Sequence, residues 1–374
     1  MKHRSVLIAL LSALAAAPVG AQAANADNGH GGKGVVFVQT NQPAGNQVVV
    51  YDEAADGTLS PAGTYATGGN GGAALPGTES DRLASQGSLV YDSRHKLLVA
   101  VNAGSDTVSA FRVKGDRLEL EDVLRSGGQF PASVGVHDDL AYVLNSGGTG
   151  IVQGFRIEGH GLESIPGSAR SLGLANTAPP NFLSAPGQVG FTPDGSKLIV
   201  TTKASTSSID VFQVEHDGRL SATPVVNPSA TPVPFAFTFG PSGRLVAGEA
   251  GASSVTTYLI GQDGALTDPK SQSDGQAALC WIERVGQFYF VSNTGSNTLS
   301  AFRVGGDGQP VLVNPVAANT NPGPIDLASS GDFLYAETGL TSTVDEFRVG
   351  HDGTLTSIGT VTGLPPGIEG IATN

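Results

Sequence analysis

A unit of about forty-five residues recurs along this chain and restricts its fold more than any other feature. The stretch Val101-Asn102-Ala103-Gly104-Ser105-Asp106-Thr107-Val108-Ser109-Ala110-Phe111 returns as Ser292-Asn293-Thr294-Gly295-Ser296-Asn297-Thr298-Leu299-Ser300-Ala301-Phe302. Its closing aromatic recurs as Tyr51, Phe111, Phe155, Phe212, Tyr258, Phe302 and Phe347, at intervals of 60, 44, 57, 46, 44 and 45 residues. Each unit divides into four short strands, A to D. In one copy, strand A is Gln188-Val189-Gly190-Phe191, strand B an apolar run beginning at Lys197, and strand C the alternating stretch around Ile209-Asp210-Val211-Phe212. Asp217-Gly218, Asp263-Gly264, Asp307-Gly308 and Asp352-Gly353 then supply the positive-φ turn before strand D. Seven such units predict an all-β fold, a seven-bladed β-propeller with four-stranded blades.

The ends of the chain predict how the ring closes. The first unit opens on a B-type strand, Val35-Val36-Phe37-Val38-Gln39, with no strand A before it. The final Pro366-Gly367-Ile368-Glu369-Gly370-Ile371-Ala372 resembles the start of the seventh unit, Pro324-Ile325-Asp326-Leu327-Ala328. A C-terminal inner strand is therefore expected to complete the N-terminal blade and remove two sheet edges.

Lys2, His3 and Arg4, a short apolar stretch and the small-x-small Ala21-Gln22-Ala23 read as a cleaved export signal over residues 1–23. Residues 24–33 read as a Gly-rich tail, and 34–374 as one propeller domain. The expected location is periplasmic or secreted. Losing Lys2 and Arg4 takes the formal charge from −13 to −15, which argues against nucleic-acid or anionic-membrane partners. Charged residues at 14% and 52 Gly suit a turn-rich β fold, expected here as a monomer. The single Cys280 has no disulfide partner and reads as a buried thiol between Leu279 and Trp281.

Chemistry is expected on one face. The long intervals place extra residues at 67–87 and 169–186, both D-to-A connections, so two long loops overhang the same rim. The B strands end there on Asn41, Asn102, Asn145, Lys203, Glu249, Asn293 and Glu337. This ring could bind a small polar ligand, although an Asn at a strand end also caps its own turn. Lys203 and Glu249 break the repeat. His95, His137, His160, His216 and His351 all fall in turns of the opposite face, which leaves no His there for base catalysis. No phosphate loop, nucleophile elbow or Cys/His metal pattern occurs, so no cofactor and no metal are expected.

The B–C unit resembles the YVTN-type propeller repeat. With Pro before strand A and Asp-Gly before strand D, the whole unit resembles the lactonase family, which contains propeller-type 6-phosphogluconolactonases and carboxymuconate-lactonising enzymes. The resemblance implies a loop-rich active face using His, Glu and Arg from neighbouring blades. Glu249, before Ser253-Ser254-Val255, stands where that family carries its Glu. Gly187-Gln188 and Phe235-Ala236 stand at its His positions, and Asn293 at its Arg position. The resemblance thus implies a divergent lactone or ester hydrolase with Glu249 as base and Lys203 and Asn293 as donors. Gln188, Asn145, Asn102 and Glu337 are further candidate binding residues. The alternative is a non-catalytic propeller that binds a ligand or protein on the same face.

Overall fold

The computed structural model describes residues 34–73, 78 and 80–374, so the expected signal and tail lie outside the described residues. Seven antiparallel sheets stand in a ring, and no helix occurs among the described residues. Blade 2 shows the pattern: A is Leu89–Asp92, B Leu97–Asn102, C Thr107–Lys114 and D Arg117–Arg125. Strand B is buried along its whole length because both of its sheet faces pack on neighbouring blades. Such strands read as continuous apolar runs, whereas the outer D strand alternates with solvent.

The aromatics that define the repeat are all buried in strand C, from Phe155 and Phe302 at 0% to Tyr51 and Tyr258 at 3% exposed. The Asp-Gly turns behave as local chemistry demands. Gly218, Gly264, Gly308 and Gly353 all lie between φ 83° and 88°. Each preceding Asp accepts the amide two residues on, as Asp217 does from Arg219 N at 3.0 Å and Asp352 from Thr354 N at 3.1 Å. At Gly353 a Cβ would also meet the Phe288 ring of the neighbouring blade at 2.7 Å.

Closure follows the predicted route. Blade 1 is ordered Ile371–Thr373, Val35–Gln39, Gln47–Glu53, Leu59–Ala66, with Phe37 opposite Ala372. The inner strand Ile371–Thr373 also packs against the inner strands Leu89–Asp92 and Pro324–Ser330 on either side. The second long loop differs from the sequence reading in one respect. It begins with a short extension, Arg170–Ser171, which pairs with strand C of blade 3 at Ile151 and Val152. Residues after it form the free span.

Because Ile371–Thr373 joins three blades, removing it exposes one edge of blade 1 and two inner strands at once. Deleting residues 367–374 is expected to lower the midpoint of thermal unfolding by more than about 10 °C, read by calorimetry; an unchanged midpoint would refute closure as a stabilising element.

Candidate functional site

The B-strand ends share a position but not a fate. Asn102 is fully buried: Oδ1 accepts from Asn46 Nδ2 at 3.0 Å and Thr67 Oγ1 at 2.6 Å, and Nδ2 donates to Ser109 Oγ at 2.7 Å. Asn293 donates to Ser300 Oγ at 2.8 Å, and Asn145 to the carbonyls of Ser126 and Ile151 at 3.0 and 3.2 Å. These amides clamp strand B to its neighbours and cap the turn. None of the three lines a cavity on the loop-rich face.

Glu249 is enclosed in the same way. Its carboxylate takes hydrogen bonds from Tyr258 Oη at 2.6 Å and from the hydroxyls of Ser229, Thr231 and Thr256, all within its own blade and adjoining loop. It is fully buried and does not line the pocket described below. Gln188 ties blade 4 to blade 5, its Oε1 accepting Phe237 N at 2.6 Å, and lines the opposite mouth of the axial channel. The structure therefore does not bring Glu249 and Asn293 to Lys203.

Lys203 is the exception. Two residues past strand Lys197–Thr201, it holds φ 46° and sends its side chain inward to full burial. Its Nζ donates to Ala84 O at 2.6 Å and lies 4.9 and 4.8 Å from the ring centroids of Phe182 and Phe235. Burial pushes its pKa down to about 8, against the opposing pull of Asp81.

Ala84 belongs to the first long loop, whose end crosses the propeller axis as a plug. Leu83, Ala84 and Ser85 are 0% exposed although they form no sheet. Their polar groups are met from several blades, as buried irregular backbone requires. Trp281 Nε1 donates to Ser85 O at 2.9 Å, Ser85 Oγ to Ala132 O at 2.7 Å, and Leu83 N to Glu369 Oε2 at 2.7 Å. The Gln86 amide exchanges two 3.0 Å hydrogen bonds with the backbone of Ile282.

Above the plug lies a cavity of about 420 Å³. Its floor is Lys203, Asp81, Cys280, Trp281 and Phe235; Phe182 and Leu183 of the second long loop and Leu340 of blade 7 stand at its rim. Both long loops thus contribute to it, as their position in the sequence predicts. The walls are mainly apolar, which departs from the polar ring expected there. Cys280 is buried, and burial raises its thiol well above the ordinary range, with Asp81 adding to the effect.

Asp81 and Glu369 were not singled out by sequence, since one lies in a loop and the other in the closing segment. Asp81 is 1% exposed, and its Oδ1 accepts Ala84 N at 2.7 Å. The two carboxyl groups hydrogen-bond each other. Asp81 Oδ2 and Glu369 Oε1 have no other donor, so one shared proton joins them. Burial raises both pKa values, and the Glu369 proton and the nearby Lys203 ammonium oppose this at Asp81.

A column of acids continues below. Glu337, fully buried, accepts Gly370 N at 2.9 Å and is raised by burial and by Asp326. Asp326 is pushed by burial, and secondarily by Glu283, to about 8; burial takes Glu283 to about 7. Asp326 and Glu283 line the opposite mouth. Among the described residues no group of three or more His, Cys, Asp or Glu could hold a metal ion.

The family model "Lactonase, 7-bladed beta-propeller" matches residues 37–283 and 262–368. The chain belongs to the lactonase family. No curated protein matches the sequence. A putative 6-phosphogluconolactonase of Bacteroides uniformis superposes with a TM-score of 0.70 at 17% identity, covering 91% of this chain and 99% of that one. The periplasmic gluconolactonase of Pseudomonas aeruginosa gives 0.64 at 17%, covering 90% and 98%. A Lactobacillus plantarum protein gives 0.68 at 18%, covering 91% and 98%. At these identities the likeness shows the lactonase propeller fold alone.

The lower acids make stability depend on pH with a definite sign. Unfolded, Asp326 and Glu283 ionise near pH 4, whereas the fold keeps them protonated to about 8 and 7. Between those limits the native state holds more protons, so their stabilisation is complete at low pH and lost as pH rises through 7 and 8. Urea unfolding at pH 5, 6.5 and 8 should show Asp326→Asn losing less stability than the parent over this range, by about 1 kcal/mol per pH unit. Equal slopes would contradict the raised pKa.

Proposed function

We propose that the cavity above the plug binds a small, largely apolar cyclic ester and hydrolyses it, with Asp81 as base and Lys203 as oxyanion donor. One observation carries this reading: a buried ammonium and a proton-sharing carboxyl pair lie together on the floor of an otherwise apolar pocket within a lactonase-family fold. The Asp81–Glu369 pair retains one proton and one negative charge. Asp81 takes a proton from water as the oxygen attacks the lactone carbonyl. Lys203 uses one N–H on Ala84 O and has two more for the developing oxyanion. Collapse breaks the ring C–O bond, and the departing alkoxide recovers the proton from Asp81, leaving a hydroxy acid.

The roles expected of Glu249 and Asn293 pass to Asp81 and Lys203 because the former residues already spend their polar atoms inside their blades. A second reading, ligand binding without turnover, draws on the same burial: Lys203 and Asp81 are 0% and 1% exposed and both bond the plug. The pocket would then hold its ligand by the apolar walls alone. On a panel of γ- and δ-lactones, Asp81→Asn is expected to lower kcat/KM at least about 100-fold, while folded Glu249→Gln stays within about three-fold. Equal rates for Asp81→Asn and the parent would overturn the mechanism. Saturable lactone binding without turnover would establish the second reading instead.

We further infer export, from the basic start, the short apolar stretch and Ala21-Gln22-Ala23. Protein recovered outside the cytoplasm should have an intact mass that begins near Ala24; a mass beginning at Met1 would refute cleavage.

A further inference from the structure

The histidines of the far face lead to a second cavity. It measures about 600 Å³, more than the pocket above the plug, and opens where the A–B turn of blade 2 meets the C–D turn of blade 3. Arg94, His95, Lys96, Arg112, Lys114 and His160 line it, and no Asp or Glu does. This is a marked local reversal, because the whole chain has only 20 Lys and Arg against 33 Asp and Glu. We propose that this cavity is a binding site for a small organic oxyanion carrying phosphate or carboxylate groups.

The lining is built rather than merely crowded. Carboxylates grip several cations from outside the cavity: Asp138 and Asp139 hold Arg94, with Asp139 at 3.7 Å, and Glu119 holds Lys114 at 2.7 Å. His95 bonds Asp92 through Nδ1 and Asp139 through Nε2 at 3.1 Å, and its side chain is 16% exposed. His160 Nδ1 donates to His95 O at 2.9 Å, which fixes the ring and leaves Nε2 uncommitted. Val113 N donates to Lys96 O at 2.8 Å, so the turn bearing Lys96, itself at φ 51°, is clipped to strand C.

Lys96 and Arg112 form no ion pair among the described residues. With their counter-charge missing and the neighbouring acids turned to the outer side, an anion in the cavity meets cations first. Arg112 offers a planar fork that matches a carboxylate or phosphate edge, and Lys96 a mobile point charge. The volume exceeds that of a bare ion, and Tyr91 and Val113 supply apolar wall for an organic body. The inference is independent of lactone hydrolysis, since no residue is shared between the two cavities.

The test is calorimetric titration of the mature protein with pyrophosphate and with citrate, at low ionic strength and again at about 0.3 M NaCl, where charge attraction is screened. Binding of either probe is expected, weakened at least about ten-fold by salt and again by the double variant Lys96→Gln/Arg112→Gln. These are exposed or half-exposed side chains, so the variant should keep the parent's unfolding midpoint. Preference for pyrophosphate would assign a phosphate-bearing ligand, and preference for citrate a carboxylate-bearing one. Lys203→Arg should leave the titration unchanged. Failure of both probes to bind at low salt, or undiminished binding by the double variant, would overturn the proposal.

Discussion

The hydrogen bond from Lys203 to Ala84 O is the contact on which the interior arrangement turns. A seven-bladed ring leaves an axial channel too wide for its inner strands to fill, and here irregular backbone fills it. Such a segment stays buried only if each polar group finds a partner. Lys203 supplies one bond, places its charge beside Asp81, and packs its ammonium against Phe182 from the second long loop and Phe235 from blade 5. Two loops and two blades therefore meet at one nitrogen. Burying an ammonium costs several kcal/mol in real proteins, and the adjacent carboxyl pair offsets that cost. A partner that could neither carry charge nor donate would leave the plug without its anchor.

One position of the repeat has been put to three uses. Where Asn102, Asn145 and Asn293 cap a turn, Glu249 gathers four hydroxyls into a closed cage, Glu337 points to the axis, and Lys203 reaches the plug. The blade needs only something there that satisfies the strand end, so an exchange at this position disturbs one blade and spares the ring. Deviation from the repeat is consequently a good guide to where the chain does something particular. It does not say whether the deviation faces a cavity or its own blade.

This explains which features were legible in the sequence. Blade number, closure by the terminal strand, the face of the long loops and the placement of the histidines all follow from local turn chemistry and a fixed period, which repeat from unit to unit. Lys203 was legible as an exception to the period. Glu249 was equally exceptional, but its hydroxyl partners Ser229, Thr231, Thr256 and Tyr258 are spread over thirty residues of ordinary-looking Ser, Thr and Tyr. Asp81 and Glu369 were hidden because they lie 288 positions apart in non-repeating segments, and only closure of the ring brings them together. The polar ring expected at the mouth failed for a related reason: amides that cap turns have no polar atoms left over for a ligand.

The axis also has a charge balance that the rest of the molecule must respect. Asp81, Glu369, Glu337, Asp326 and Glu283 each feel a neighbour in the series, and Lys203 alone among the described cations acts on its upper end. Five buried negative charges against one positive charge would cost far more than a domain's net stability. Protons must therefore make up most of the difference, and the series is held as shared acids rather than carboxylates. That arrangement places its only mobile charge at the upper end, where Asp81 meets the pocket. It leaves Glu283 and Asp326, the pair nearest solvent at the lower mouth, as the first to ionise when the medium becomes alkaline. The upper pocket is thus insulated from that titration by Glu337 and by the plug, so its acid–base pair can keep one proton over a pH range in which the lower mouth changes charge.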